Sequence, residues 1–207
     1  MIQTICIERE YGSGAAVIAK KLSAKLGWQL WDEKLSAEIA KRLKCDVRSV
    51  QQREERPDST FYQLIKIFMR GSYEESFSGA GAELLDSEHL FRLFGSVVEE
   101  VTKRGPCIIV GRASPWYLRD RTDTMRLFIF ASPAEKMRRL LAAGIDEQEA
   151  ERKLEEVDRD RAAFVKKYHG KTWPLRELYH LMINSAIGDE AVIEMALREM
   201  EILNARS

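Results

Sequence analysis

Short apolar runs alternate with longer segments of helical periodicity along this 207-residue chain. This alternation restricts the possible folds more than any other feature of the sequence. Most of the short runs are apolar at consecutive positions, which is typical of strands buried on both faces of a parallel sheet. The strands are predicted at residues 2–7, 28–31, 107–110, 126–130 and 181–184, and helices at 15–26, 133–143, 147–168 and 189–203. The pattern therefore predicts an α/β fold in which helices cross between five parallel strands.

Several helix ends are marked by residues with capping preferences. Gly27 follows the first predicted helix at the position of a C-cap, and Gly144 ends the helix at 133–143. Ser132 and Asp146 precede two other helices as N-caps, each with a glutamate three residues later. These signals place the helix boundaries independently of the apolar periodicity.

Charge and hydropathy exclude two classes of protein. The 33 Lys and Arg residues balance 33 Asp and Glu, giving a formal net charge of zero. A general nucleic-acid binder normally has a basic excess, because phosphate neutralisation dominates its affinity. The apolar runs are far shorter than the ~20 residues that span a bilayer. We expect neither a nucleic-acid partner nor a membrane anchor.

The cysteines indicate a reducing compartment. Cys6, Cys45 and Cys107 are odd in number and show no CxxC spacing. At this length the core needs no disulfide, because a chain of about 200 residues buries roughly 70% of its unfolded surface. The start of the sequence also lacks the basic and long apolar regions of a signal peptide. We therefore expect buried free thiols and a cytoplasmic location.

Residues 53–88 differ in composition from the rest of the chain. They are interrupted by Pro57-Asp58-Ser59, Gly71-Ser72 and a Gly- and Ser-rich stretch at 76–81. Such composition favours a mobile insertion within a single domain that spans 1–207. The segment could act as a lid on the acceptor side or be a loop without a role.

The loop after the first strand has the context of a phosphate site. The sequence EREYGSG at residues 8–14 lies between a buried strand and a helix. Glycines let the backbone approach an anion closely, and free N–H groups at a helix start bind it. The candidate phosphate-binding residues are therefore Arg9, Tyr11, Gly12, Ser13, Gly14, Ala15 and Ala16.

Five segments together resemble the cytidylate-kinase-like proteins, a group of P-loop kinases. They are EREYGSG at 8–14, KKLSAKLGWQLWDEKL at 20–35, RGPCIIVGRA at 104–113, and DRDRAAFVKKYHGKTW with YHLMINS at 158–173 and 179–185. The resemblance implies a three-layer P-loop kinase fold with ATP and Mg²⁺ as donor. It also implies a nucleoside triphosphate and a small phosphorylated acceptor, such as cytidylate, as the partners.

The loop departs from the kinase pattern at its functional side chains. In register with a standard phosphate loop, Arg9 replaces the first glycine, Ala15 the lysine and Ala16 the Ser or Thr that binds Mg²⁺. Arg9, Lys20 or Lys21 would have to supply the missing charge, and Arg9 is best placed at the mouth of the loop. The alternative role of Arg9 is a salt bridge to a neighbouring glutamate.

Arg112 is the predicted acceptor-binding residue. It follows Gly111 directly after the third strand, and ligands of open parallel sheets bind outside the carboxyl ends of the strands. Its planar fork of donors suits a phosphate. Ala113 stands where the resemblance implies an aspartate, so the resemblance does not determine which base the acceptor carries. Alternatively, Arg112 only caps the sheet edge.

Asp32 ends the second strand and faces the same edge. A carboxylate here can orient the water shell of Mg²⁺ or the acceptor hydroxyl. It can equally serve as the N-cap of a helix beginning at Glu33, and the two roles are compatible.

Residues 158–174 resemble the lid of these kinases. Lid arginines neutralise charge on the transferred phosphoryl group. Arg159 and Arg161 are two positions apart, so they point to different sides of a helix and at most one reaches the phosphates. The alternative is a solvated charged helix.

The histidines do not predict a metal site, because His89, His169 and His180 lack ligand spacing. Two functions remain. The arginines favour a nucleotide kinase that transfers the γ-phosphate of ATP to a cytidylate-like acceptor. Ala15 and Ala16 favour a catalytically impaired pseudokinase that binds a nucleotide or anion as a regulatory protein.

Overall fold

The computed structural model describes residues 1–42 and 87–206. Strands and helices alternate in these two ranges as the apolar pattern predicts. The strands are β1 (Thr4–Arg9), β2 (Gln29–Trp31), β3 (Cys107–Val110), β4 (Thr124–Phe130) and β5 (Leu181–Asn184). The helices are α1 (Ala15–Leu26), α2 (Glu33–Arg42), α3 (Ser87–Thr102), α4 (Ser114–Tyr117), α5 (Pro133–Ala142), α6 (Glu147–His169) and α7 (Asp189–Ala205). Short 3₁₀ turns lie at Arg176–Leu178 and Ser185–Ile187.

The five strands form one parallel sheet in the order β2-β3-β1-β4-β5. β1 is central, and its residue Thr4 pairs with Cys107 of β3 and Thr124 of β4. All five carboxyl ends therefore lie along one edge, with the end of β1 in the middle. The predicted five-stranded parallel sheet is confirmed.

Alternate residues of the central strands face two separate cores. Ile5 and Ile7 of β1 pack with α1 and α7 on one side of the sheet. Cys6 of β1 packs with α2, α3 and Phe164 of α6 on the other. This period of two produces the three-layer arrangement, and it explains why the strands are apolar at consecutive positions.

The predicted helix caps are present. Gly27 has a left-handed φ of 67° at the end of α1. The Ser132 side chain accepts a hydrogen bond from the Glu135 N–H, and that of Asp146 accepts from the N–H groups of Gln148 and Glu149. These caps determine where α5 and α6 leave the sheet edge.

Some boundaries differ from the prediction. β1 begins two residues later than predicted and continues through Arg9, because Glu8 and Arg9 pair with Phe128 and Ile129. Helices α3 and α4 were not predicted. The insertion expected at 53–88 lies outside the described residues except for its last two, which begin α3. No helix of the described ranges combines the length and apolar character needed to cross a bilayer.

The two cysteines in these ranges are buried free thiols, as predicted. Cys6 and Cys107 are at most 1% exposed. Burial raises the pKa of the Cys6 thiol to about 12 and that of Cys107 to about 11. Neither is a reactive thiolate at neutral pH. Cys45 lies outside the described residues.

Candidate functional site

Three arginines predicted from the sequence lie together at the carboxyl edge of the sheet. Arg9 ends β1, Arg112 follows β3, and Arg161 reaches them from α6. Arg9 and Arg112 are only 5% and 4% exposed. Arg161 Nη1 donates to the main-chain oxygen of Arg9 at 2.9 Å.

Burial and neighbouring guanidinium groups lower the pKa values of two of these arginines. Burial, and then the positive charges of Arg9 and Arg161, lower the pKa of Arg112 to about 10, although Asp32 opposes this shift. Burial and Arg9 lower the pKa of Arg161 to about 10. Both Arg112 and Arg161 are therefore cationic at neutral pH. A bound anion would relieve their mutual repulsion.

The backbone that carries Arg112 is unusual. Arg112 has a φ of 58° and Ala113 a φ of 51°, both in the left-handed region. This conformation costs a residue with a Cβ about 1–2 kcal/mol. Backbone strain of this kind is concentrated at functional sites. The Arg112 side chain on this backbone is buried and lines the same cleft as Arg9 and Arg161.

Carboxylates accompany the arginines without using all of their donors. Glu8 Oε1 lies 3.3 Å from Arg9 Nη1, so the predicted salt bridge of Arg9 with a neighbouring glutamate does form. Asp158 Oδ1 lies 2.9 Å from Arg161 Nη1. Arg9 Nε and Nη2 are buried, and no hydrogen-bond partner for them occurs in the described ranges. Leaving charged donors unsatisfied costs free energy, so an anion at this place would stabilise them.

Asp32 lies at the same edge and is 7% exposed. Its Oδ1 is buried and has no hydrogen-bond partner among the described residues. The N–H of Leu35 bonds to the main-chain oxygen of Asp32, rather than to the side chain as in the predicted N-cap. The carboxylate is therefore available to a ligand or to the hydration shell of a metal.

The glycine loop has the geometry expected of an anion cradle. Gly12 and Gly14 have φ values of 74° and 79°, and α1 begins at Ala15. The N–H groups of Ala15 and Ala16 belong to the first turn of α1 and point out of the helix end. The loop is held in place because Ser185 Oγ donates to the Ser13 main-chain oxygen at 2.7 Å.

Two residues of the predicted cradle have structural roles. The ring of Tyr11 packs with Leu140 and Val157 in a small core, and its N–H donates to Asp158 Oδ1 at 2.9 Å. Ser13 Oγ donates to the Glu10 main-chain oxygen at 2.8 Å. An anion bound at this loop would therefore contact its main chain around Gly12 and Gly14 rather than these two side chains.

Two cations beside the loop were missed from the sequence. Arg139 of α5 lies over Gly14, where its guanidinium occupies the space that a Cβ on residue 14 would need. Lys136 passes Gly12, and its Nζ lies 2.6 Å from the Glu10 carboxylate. They are three positions apart on the helix that starts at the end of β4. The Ser132 cap marks the start of this helix in the sequence, and the three-residue spacing places Lys136 and Arg139 on the same side of it. These two signals could have identified them.

Lys20 and Lys21, the other cations considered for the missing loop charge, are both exposed on α1. Lys21 Nζ lies 3.0 Å from Glu190 and 3.4 Å from Asp189, so it bridges α1 to α7. Among the candidates from the sequence, Arg9 lies nearest the loop, but its guanidinium is directed to the Gly111 side of β1.

The two arginines of the predicted lid point in different directions, as their spacing requires. Arg159 is exposed, whereas the Arg161 side chain is 12% exposed and contacts the end of β1. Asp158 connects this helix to the loop, because it accepts from Tyr11 and contacts Lys136 Nζ at 3.4 Å. Helix α6 is therefore closed over the strand ends, and Arg159 lies outside the arginine cluster.

A cleft extends from the arginine cluster between α6 and the segment before β5. Glu8, Arg9, Arg112 and Arg161 line one end. Its remaining walls are largely apolar or aromatic, formed by Ala113, Pro115, Trp116, Phe164, Val165, His169, Trp173, Leu175, Leu178 and Tyr179. The site thus combines a glycine loop, two cations from α5, and an arginine-lined cleft.

The described residues are better suited to bind Mg²⁺ together with the phosphates of a nucleotide than to hold the ion by protein side chains alone. In the ranges 1–42 and 87–206, no group of three or more His, Cys, Asp or Glu side chains is placed to hold a metal. Ala16 offers no hydroxyl, but the Asp32 carboxylate is available at the edge. Mg²⁺ often keeps several waters and binds one or two carboxylates together with substrate phosphates.

Structural comparisons reproduce the fold. An uncharacterized protein from Eubacterium ventriosum superposes with a TM-score of 0.66 at 20% identity, covering 97% of this chain and 99% of that one. The shikimate kinase from Bacteroides thetaiotaomicron gives 0.54 at 14% identity, with 97% and 99% covered. The Acinetobacter baumannii shikimate kinase, in complex with shikimate, gives 0.52 at 15% identity, with 97% and 93% covered. These likenesses show a P-loop kinase fold.

The family comparison covers most of the chain. No curated protein matches the sequence. The model of the cytidylate kinase-like family matches residues 4–187, from the first residue of β1 to the turn that precedes α7. Both the glycine loop and the three arginines fall inside this match. The chain therefore belongs to the cytidylate kinase-like family.

Proposed function

We propose that the protein is a kinase that transfers the γ-phosphoryl group of ATP to a small acceptor bearing an anionic group. The observation that carries the proposal is the position of Arg9. It is both the last residue of β1, next to the glycine loop, and a member of the arginine cluster. A donor in the loop and an acceptor at the arginines would meet at the end of this strand.

The donor phosphates would lie on the main chain around Gly12 and Gly14. Lys136 and Arg139 would supply the positive charge that Ala15 lacks, because both side chains lie against the loop glycines. Both would have to exchange carboxylate partners for phosphate, since Lys136 pairs with Glu10 and Asp158, and Arg139 pairs with Glu135 and Asp189. ATP supplies the phosphoryl group, and Mg²⁺ neutralises charge on its oxygens. Asp32 would orient the hydration shell of that ion.

The acceptor anion would be held by Arg9, Arg112 and Arg161. Their role is to position the acceptor and to offset the repulsion between two anions that must approach each other. Helix α6 would exclude water by staying closed over the strand ends through Asp158 and Arg161. Excluding water would prevent hydrolysis of ATP and would favour transfer of the phosphoryl group to the acceptor. The resemblance to cytidylate kinases makes a nucleoside monophosphate the first acceptor to test.

A regulatory pseudokinase is the second candidate, and one contact favours it. The Tyr11 N–H of the loop donates to Asp158 Oδ1, so a carboxylate of the protein already occupies one donor that a phosphate could use. Ala15 and Ala16 also remove two side chains that catalysis commonly uses. In this case α6 would transmit nucleotide binding to a partner protein, and it would not serve to exclude water from a reaction.

Two measurements separate these functions. Calorimetry would give the affinity for ATP with Mg²⁺, and a coupled assay would give ADP formation with CMP, dCMP and other small acceptors. The kinase proposal expects ATP binding and ADP formation that depends on an acceptor. ATP binding without turnover for any acceptor would favour the pseudokinase, and absence of binding would contradict both.

A further inference from the structure

The cleft beside the arginines is divided into two chemically different halves. At one end lie three guanidinium groups, of which Arg9 and Arg112 are more than nine-tenths buried, and one carboxylate, that of Glu8, which pairs with Arg9. The other end is lined by side chains without formal charge at neutral pH: Pro115, Trp116, Phe164, Val165, His169, Trp173, Leu175, Leu178 and Tyr179. A ligand that fills both ends must combine an anionic group with a body that prefers an apolar surrounding.

The titratable groups in the apolar half are held in their neutral forms. Burial and the nearby charge of Arg119 lower the pKa of His169 to about 4, so its ring is uncharged at pH 7. Burial and the charge of Glu8 raise the pKa of Tyr179 above its ordinary value. The His169 ring also stacks on Trp116, with 3.9 Å between the ring centroids. This end therefore offers aromatic and aliphatic surface without charge.

A pyrimidine base would find few hydrogen-bond partners in such a place. Among the described side chains of this half they are the ring nitrogens of its Trp and His residues and the Tyr179 hydroxyl, and His169 Nε2 is buried without a partner. Cytosine carries an exocyclic amine, a ring nitrogen and a carbonyl, each of which needs a partner once buried. The strand-end position where the resemblance implies an aspartate is Ala113 here. The described walls of this half include no Asp, Glu, Asn or Gln side chain. An apolar ring has no such requirement, and its burial is favourable.

We propose that the acceptor is a phosphate monoester with an apolar, aromatic body rather than cytidylate. Phosphoryl transfer to this acceptor rests on the proposed kinase function, whereas binding of the acceptor in the cleft does not. In the reaction an oxygen of the acceptor phosphate bonds to the γ-phosphorus while the bond to the bridging oxygen of ADP breaks. The products are ADP and an organic diphosphate.

The test compares four probes by calorimetry on the full chain without ATP: phenyl phosphate, glycerol phosphate, CMP and phenol. Phenyl phosphate is expected to bind roughly 10- to 100-fold more tightly than glycerol phosphate, which is the effect of moving one aromatic ring from water into an apolar pocket. It should also bind more tightly than phenol, because the arginines hold the phosphate. Equal affinity for phenyl and glycerol phosphates, or tighter binding of CMP, would overturn the proposal.

Substitutions test which residues form the arginine half and the apolar half of the cleft. Arg112→Ala should weaken phenyl phosphate binding at least tenfold. Leu175→Gln, in the apolar half, should reduce the preference for phenyl over glycerol phosphate, whereas Leu141→Gln, at a 43% exposed position on α5, should leave it unchanged. An unchanged preference in Leu175→Gln would contradict the assignment. Thermal unfolding of each variant would confirm that it is folded.

These experiments distinguish failure of the proposed ligand class from failure of the proposed kinase function. ATP affinity is measured in its own titration and does not involve the cleft. If phenyl phosphate binds as expected but ATP does not bind, the kinase proposal fails and the ligand class stands. If ATP and CMP support turnover while phenyl phosphate does not bind, the ligand class fails and the kinase proposal stands.

Discussion

The guanidinium of Arg9 lies directly against the Cα of Gly111, with Nη1 inside the space that a Cβ on residue 111 would fill. Gly111 also has a φ of 67°, which residues with a Cβ rarely adopt. The contact joins the carboxyl end of β1 to that of β3. Because residue 111 has no side chain, the Arg9 guanidinium has room at this edge of the sheet.

Gly111→Ala should therefore lower the free energy of unfolding by about 2–4 kcal/mol, because it adds a steric clash to the left-handed strain. Gly27→Ala is a matched control, since Gly27 has the same φ of 67° and no atom within 4 Å of its Cβ position. Its cost should be about 1–2 kcal/mol. Chemical denaturation measures both. In an Arg9→Ala background the two costs should become similar, and a persistent difference would argue against the Arg9 contact.

Arg139 is expected to bind the donor phosphates. Arg139→Gln should weaken ATP binding by roughly 10- to 100-fold, the value of one charge-assisted hydrogen bond. Arg138→Gln is the control, because Arg138 is next to it on α5 but its side chain is 66% exposed. Calorimetry of both variants with ATP and Mg²⁺ gives the comparison. Equal losses in the two variants would exclude a specific role of Arg139.

The two lid arginines should have unequal effects. Arg161→Ala removes a cation that contacts the end of β1, so it should reduce acceptor-dependent ADP formation by at least tenfold. Arg159→Ala removes an exposed charge and should change the rate by less than about twofold. Steady-state assays of both variants would show the difference. A larger loss in Arg159→Ala would mean that α6 presents its other side to the phosphates.

His169 should make stability depend on pH. Its pKa is about 4 in the folded protein, because of burial and Arg119, and about 6.5 in the unfolded chain. Protons therefore bind preferentially to the unfolded state between these values, and the folded state loses stability as the pH falls from about 6.5 to about 4. The loss from this group should be about 1–2 kcal/mol, reduced from the full shift by partial exposure.

His169→Gln should lose less stability over the same pH interval, as measured by denaturant titrations at pH 7 and pH 4.5. Glu100 and Glu135 have pKa values lowered to about 2 by arginine partners, so their effects occur mainly below this interval. A variant with the same pH dependence as the original protein would show that His169 does not titrate as described.

Much of the fold could be predicted from the sequence. The three central strands β1, β3 and β4 were predictable because both of their faces are largely buried, which makes most of their consecutive residues apolar. Capping side chains at Ser132 and Asp146 marked α5 and α6 correctly, because these hydrogen bonds are local. Helix α4 could not be predicted in the same way, since it has only four residues and begins after the left-handed Ala113.

The candidate site was only partly predictable. Arg9, Arg112 and Arg161 were identified from strand ends and motif resemblance, and the parallel sheet brings them together. The contact between Arg9 and Gly111 joins two strands that are distant in the sequence, so it leaves no local signal. Arg139 was missed because it is 125 residues from Gly14 in the sequence, and only the packing of α5 on the loop brings them close.

Acceptor-dependent ADP formation from ATP and Mg²⁺, measured for the original protein and for Arg112→Ala, shows whether the arginine cluster holds the acceptor of a kinase. Arg152→Ala serves as the control, because the Arg152 side chain is 54% exposed on α6. We expect ADP formation with at least one small phosphate monoester, a loss of roughly 100-fold or more in Arg112→Ala, and an unchanged rate in Arg152→Ala. Full activity of Arg112→Ala, or no ADP formation despite saturating ATP and acceptor, would contradict this expectation.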